Sequence, residues 1–205
     1  MKLKVKVCGI TNINDALLCE SNGADMLGFI FYEKSKRFIN FEAAEQIIKK
    51  LSFLTHKVGV FVNESSDNIN AVVDHLKLNA VQLSGDENPE LADKIEAPVI
   101  KSFRVNRNFN FNKINLYKNV APLLDTYSDS EYGGTGKSFD WQIIPESIRT
   151  KIFLAGGITE QNIEEVYFNI KPLAVDLSSS LEKEPGRKDE IKVREFFKKI
   201  NQLRS

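Results

Sequence analysis

Strand-length apolar runs alternate with amphipathic stretches eight times along this chain, and no other feature constrains its fold as strongly. The runs begin near Leu3, Met26, Val58, Ala80, Pro98, Ala121, Ile152 and Ala174. Most are almost continuously hydrophobic, as strands are when both faces of a parallel sheet are covered. Between them, Ala43, Ala44, Ile47, Ile48 and Leu51 fall on one helical face, as do Ile69, Val72, Val73 and Leu76. Ile163, Val166, Tyr167 and Ile170 form another stripe, and Ile191, Phe196, Phe197, Ile200 and Leu203 close the chain. Two connections are weaker. Pro89 to Ile95 has room for about two helical turns, and the Asn-rich stretch from Asn106 to Asn119 has poor helix propensity. Alternation of strand and helix implies a parallel sheet. Eight units in 205 residues predict an α/β fold, a compact (β/α)8 barrel forming a single domain over residues 1–205, with a doubly wound open sheet as the competitor. The first glycine turn, Cys8-Gly9-Ile10-Thr11-Asn12, lacks the G-x-G-x-x-G dinucleotide fingerprint, which favours the barrel.

Charge narrows the function. The 28 basic residues balance 28 acidic ones, so the sequence carries no nucleic-acid or membrane footprint. The longest clean apolar run, Leu27 to Tyr32, is far too short to span a bilayer. Two cysteines, Cys8 and Cys19, make no disulfide framework, so the chain reads as a soluble cytoplasmic protein with reduced thiols. His56 and His75 have no metal-ligand spacing with any cysteine or carboxylate and read as surface or helix-end residues. The abundance of Asn, Lys and Ile reads as genome composition.

On a barrel, the active site lies at the carboxyl ends of the strands. Cys8 ends the first run at a glycine turn, and Asp125 ends the sixth directly after Pro122-Leu123-Leu124, where a carboxylate makes poor packing. Cys19, on the first helix, reads instead as a small buried hydrophobe. Phosphate is usually held by the loops after strands seven and eight. Here those are Gly156-Gly157-Ile158-Thr159, whose glycines allow close backbone approach to an anion, and Ser178-Ser179-Ser180, rich in donors. The loop Tyr132 to Ser138 fails as a Walker A motif, because its spacing is wrong and no apolar strand leads into it. It reads as a flap over the mouth of the barrel.

Taken in order, these residues resemble the phosphoribosylanthranilate isomerase family. The likeness runs the full length, through Lys6-Val7-Cys8-Gly9-Ile10-Thr11, Lys34-Ser35-Lys36-Arg37, Val58-Gly59-Val60-Phe61-Val62-Asn63, Leu123-Leu124-Asp125-Thr126, Gly133-Gly134-Thr135-Gly136-Lys137, Phe139-Asp140-Trp141, Gly156-Gly157 and Pro185-Gly186-Arg187-Lys188-Asp189. The resemblance implies an aldose–ketose isomerase of tryptophan biosynthesis. Its reaction would be the Amadori rearrangement of N-(5-phosphoribosyl)anthranilate to 1-(2-carboxyphenylamino)-1-deoxyribulose 5-phosphate. It also implies Cys8 as general base, Asp125 as general acid, Arg37 as the anchor of the anthranilate carboxylate, and Gly156, Gly157, Ser178 and Ser179 as the phosphate cradle. No cofactor or metal is implied, the partner is one small phosphorylated substrate, and the chain would act as a monomer or weak homodimer. Two positions depart from the family pattern: Ser84 stands where histidine is usual, and Ser180 where glycine is usual.

The residue types suit that chemistry on their own terms. Opening a ribosylamine ring needs an acid at the ring oxygen, a role open to a carboxyl whose pKa burial has raised. The resulting iminium needs a proton removed from the neighbouring carbon, which a thiolate can take. A related isomerase of histidine biosynthesis would use two aspartates, against which Cys8 argues, and a non-catalytic phosphate-binding barrel is disfavoured by intact Cys8 and Asp125. Because Lys4, Lys6 and Cys8 share one side of their strand, lysines are expected in the lumen. A buried Lys6 should pair with Asp176, order the floor of the site and help hold Cys8 as thiolate.

Overall fold

Each apolar run forms a parallel strand: β1 Lys4–Cys8, β2 Met26–Ile30, β3 His56–Phe61, β4 Ala80–Leu83, β5 Val99–Val105, β6 Val120–Thr126, β7 Phe153–Leu154 and β8 Ala174–Leu177. A computed structural model describes residues 2–126 and 140–205, so the expected flap, Tyr132 to Ser138, lies outside the described residues. Every strand pairs with its successor, and β8 returns to β1 with Lys4 opposite Ala174 and Lys6 opposite Asp176. The sheet is closed, and the open-sheet competitor falls.

Around it lie α1 Ile13–Asn22, α2 Phe41–Ile48, α3 Ser66–Leu76, α4 Pro89–Ala92, α5 Glu146–Arg149, α6 Ile163–Glu165 and α7 Glu190–Arg204. Asparagine has a structural use that composition alone did not suggest. Asn12, Asn40 and Asn88 cap α1, α2 and α4, each accepting from the amide three residues on, a contact that stabilises a helix start by about 1 kcal/mol. Of the two weak connections, α4 is a single turn. Between β5 and β6 only a 3-10 helix forms, Phe111–Leu116. Ring packing replaces helical packing there, with Phe103 edge-on to Tyr117 at 5.4 Å and to Phe109 at 6.1 Å. α6 runs on as a wide π turn, Val166–Ile170, stopped by Lys171 in the left-handed conformation at φ 56°. Several elements were not foreseen, α5 among them. Between β8 and α7 a 3-10 turn, Ser179–Leu181, leads into an antiparallel hairpin of β9 Glu182–Glu184 and β10 Arg187–Lys188.

Alternation along the strands divides the core into two layers. Val58, Ile100, Leu123, Phe153 and Ala174 fill the lumen, while Val5, Val7, Leu27 and Phe29 face outward against Ala16, Ala44, Phe196 and Phe197 of the helices. Cys19 is in this outer layer, and burial pushes its thiol up to about 12, as a packing residue requires. His56 and His75 are exposed, at the start of β3 and in the last turn of α3. Ile191 corrects the expected stripe of α7: it is 67% exposed. The buried face runs Val193, Phe196, Phe197, Ile200, and two residues before Val193 lies on roughly the opposite side of a helix with 3.6 residues per turn. Among the described residues no helix is long and apolar enough to cross a membrane.

Truncating Phe196, fully buried between α7 and the barrel, should leave a cavity and cost about 3–5 kcal/mol. Urea denaturation of Phe196→Ala, with an unchanged m-value, measures it.

Candidate active site

The site grows from the side of β1 that carries Lys6 and Cys8. Lys6 is fully buried, and its Nζ donates to Asp176 Oδ1 at 2.8 Å, across the register that joins β1 to β8. The expected pair is present. Lys4 shares that side of β1, but its side chain is 50% exposed and pairs with Asp25 just before β2, because at the start of the strand water reaches it. Opposite Cys8 in the register stands Gly28. A Cβ there would lie 2.8 Å from Cys8 Sγ and 3.1 Å from Lys6 Nζ, so the thiol and the ammonium share the space that glycine leaves open.

Burial dominates the titration of this cluster. It pushes the Cys8 thiol up, and the attraction of Lys6 offsets only part of that. The ion pair therefore does not hold Cys8 ionised in the resting protein, contrary to expectation, because desolvating a thiolate at the end of β1 outweighs one neighbouring cation. Burial also pushes the Asp176 carboxyl up against the opposing pull of Lys6. Lys6 itself keeps its proton: burial works against the ammonium, but Asp176 and Cys8 together raise its pKa.

Asp125 is the penultimate residue of β6, on the lumen side two residues beyond Leu123. Burial raises its carboxyl to about 6, while the Thr126 amide, donating to Oδ1 at 2.8 Å, pulls the other way. Both Cys8 and Asp125 feel the charges of Lys6 and Asp176, so the fold brings the two chain-distant groups to one mouth. Gly156 is at φ 84°, and a Cβ there would meet Asp125 Oδ1 at 2.9 Å and collide with the Thr126 hydroxyl. A side chain at that position is excluded by conformation and space together.

Beyond Asp125 opens a cavity of about 280 Å³, lined by Gly156, Gly157, Ser178, Ser179 and Ser180 among others. No backbone carbonyl among the described residues accepts from the amides of Gly157, Ser179 or Ser180, and Ser178 Oγ is buried without a partner among them. Donors grouped in this way can take an anion. Asn162 shapes the first loop, accepting from the Thr159 amide and donating to the Gly157 carbonyl, both at 2.8 Å.

Arg37, on the loop after β2, does not line this cavity. Its Nε reaches the two carboxylate oxygens of Glu182 at 2.9 and 3.0 Å, and its Nη2 reaches Oε2 at 2.7 Å. Lys188 Nζ lies 2.9 Å from Glu182 Oε1 and 2.7 Å from the Cys8 carbonyl. Burial opposes the charge on Glu182, but Arg37 and Lys188 hold its carboxyl below the usual range. Ser84, just after β4, accepts from Gln82 Nε2 at 3.0 Å. Among the described residues no group of three or more His, Cys, Asp or Glu side chains is placed to hold a metal ion. Gly28, Asn162, Glu182 and Lys188 escaped the reading of the sequence. Lys188 stood in a quoted motif without a role, whereas Glu182 had no local signal at all.

Comparison with known proteins bears on this arrangement. The family model for N-(5'phosphoribosyl)anthranilate (PRA) isomerase matches residues 5–199. The N-(5'-phosphoribosyl)anthranilate isomerase of Trichlorobacter lovleyi is 48% identical over 198 residues, covering 96% of this chain and 97% of that protein. The phosphoribosyl anthranilate isomerase of Thermotoga maritima superposes with a TM-score of 0.90 at 39% identity, covering 98% of this chain and 100% of that one. A phosphoribosyl anthranilate isomerase structure in complex with reduced 1-(o-carboxyphenylamino)-1-deoxyribulose 5-phosphate superposes at 0.86 with 38% identity, covering 98% and 100%.

Replacing Lys6 by methionine keeps the bulk but leaves Asp176 a buried, unpaired carboxylate. Lys6→Met should lose about 3–5 kcal/mol of stability near neutral pH, measured by denaturant titration.

Proposed function

The chain belongs to the N-(5'-phosphoribosyl)anthranilate isomerase family, and from that premise we propose that it carries out the Amadori rearrangement of N-(5-phosphoribosyl)anthranilate in tryptophan biosynthesis, with Cys8 as base and Asp125 as acid. One observation carries the reading: Asp125, its carboxyl raised to about 6, borders the same cavity as the two donor-rich loops. A phosphate held by those loops sets its sugar beside the acid.

In this reading the phosphate lies against Gly156, Gly157, Ser178 and Ser179, and the Arg37 guanidinium takes the anthranilate carboxylate. Asp125 gives its proton to the ring oxygen as the bond from that oxygen to C1 breaks, leaving an iminium. Cys8 thiolate removes the proton from C2, and the electron pair moves through C1 to neutralise the nitrogen, giving an enolamine. Loss of the enol proton and protonation of C1 yield the 1-deoxyribulose product, 1-(2-carboxyphenylamino)-1-deoxyribulose 5-phosphate. Carboxyl and thiol suffice for these transfers, so the proposal calls on no metal or redox cofactor. The enzyme acts in the cytoplasm on this one small phosphorylated partner, as a monomer or weak homodimer.

The pH dependence follows from the two titrations. Taken singly, the demand for a protonated Asp125 favours low pH and the demand for an ionised Cys8 favours high pH. Because the carboxyl titrates at about 6, below the raised thiol, only a minority of molecules carries thiolate and carboxylic acid together. That minority is constant between the two values and shrinks outside them. The kcat/KM profile of the free enzyme should therefore be flat-topped, with an acid limb near 6 and an alkaline limb above the ordinary thiol range.

Cys8→Ala and Asp125→Asn should each lower kcat by about 10²–10⁴ with little change in KM, while Arg37→Ala and Gly157→Leu should mainly raise KM. Steady-state kinetics, and complementation of a tryptophan auxotroph lacking this isomerase, test the set. Near-normal turnover by Cys8→Ala would remove the thiol from the mechanism.

A further inference from the structure

We propose that Glu182 and Lys188, on the hairpin after β8, are positioning residues that set Arg37 and Cys8 in register with each other. The inference rests on the roles given above to Arg37 and Cys8. Glu182 is 6% exposed and holds the Arg37 guanidinium at both Nε and Nη2. Two parallel contacts to one carboxylate fix the plane of the guanidinium as well as its position. The aliphatic stem of Arg37 lies against Gly9, directly after Cys8. On the other side of the same carboxylate is Lys188, whose side chain is fully buried.

Lys188 spends its three donors on three acceptors: Glu182 Oε1 at 2.9 Å, the Cys8 carbonyl at 2.7 Å and the Ser178 carbonyl at 3.4 Å. The two carbonyls belong to the end of β1 and to the residue following β8, where the barrel closes. One buried carboxylate thus ties the guanidinium on the β2 loop to the backbone of the proposed base. The hairpin is itself anchored to the β1–α1 loop and the first turn of α1. The Thr11 hydroxyl donates to the Gly186 carbonyl, and the Lys188 amide donates to Asp15 at 2.8 Å. Burying Glu182 and Lys188 as ions, with Arg37 largely covered, is costly unless each is paired, and packing alone would be served as well by apolar side chains. Here each cation reaches from Glu182 to a different part of the site.

The charged groups facing the Cys8 thiol are Lys6 on its own strand, Asp176 on β8 and Lys188 on β10. Lys188→Met removes one of the two cations at similar bulk. It should lower kcat about tenfold or more and move the thiol limb of kcat/KM to higher pH, with Lys188→Arg recovering part of both. Glu182→Gln keeps the shape and removes the charge; it should raise KM about tenfold with a smaller change in kcat, and should add nothing to KM in an Arg37→Ala background. Glu182→Asp keeps the charge but shortens the reach, and gives a reading even where the neutral variants do not fold: kcat/KM should fall while the thermal midpoint stays near wild type. Wild-type KM in folded Glu182→Gln, an unmoved thiol limb in folded Lys188→Met, or wild-type kinetics in Glu182→Asp would overturn the positioning role. If Arg37→Ala raises KM and Glu182→Gln does not, that role alone falls. If Arg37→Ala leaves KM unchanged, the assignment of Arg37 falls with it.

Discussion

The Lys6–Asp176 ion pair sits where the last strand of the barrel meets the first, and the character of the mouth above depends on it. Taking an ammonium and a carboxylate out of water costs several kcal/mol each, and their attraction does little more than repay it. The pair is therefore a weak source of net stability and a strong source of order, since neither partner can leave without stranding the other. Its two charges also reach both groups proposed to move protons. Lys6 draws the Cys8 thiol and the Asp125 carboxyl toward ionisation, and Asp176 pushes both the other way. With those influences opposed, burial decides the balance, and both groups hold their protons to higher pH than they would in water.

The barrel separates stability from chemistry along its axis. Below, Val58, Ile100, Leu123 and Phe153 close the lumen with apolar side chains. Above, the loops are held by buried charges. Glu87 accepts from the amides of Asn63 and Gly85 and pairs with Lys101 at 2.8 Å, which also donates to the Gly85 carbonyl. Glu182 and Lys188 do the same on the opposite side, between β8, β1 and the loop after β2. Loops that must leave a polar cavity open cannot be fastened by apolar packing over that cavity. Paired charges with backbone partners fix them without filling it, since a buried amide or carbonyl demands a partner.

Much of this was legible in the residues alone. The eight apolar runs, the ends of β1 and β6 that present Cys8 and Asp125, and the donor-rich turns after β7 and β8 are local patterns, each set by short-range periodicity or by a glycine where the backbone must turn tightly. Even the Lys6–Asp176 pair followed from parity along one strand, once closure of the barrel was assumed. Other features depend on contacts between residues far apart in the chain. Glu182 was one carboxylate among 28 acidic residues until the hairpin folded back to set it between Arg37 and Lys188. Gly28 drew no notice until the register placed it against Cys8. The state of the Cys8 thiol was misjudged from sequence because a nearby lysine is visible there, whereas the depth of burial that outweighs it is not. Strand and turn propensities act over a few residues and can be read one segment at a time. Desolvation and ion pairing depend on everything within several ångströms, and only the closed barrel decides which residues those are.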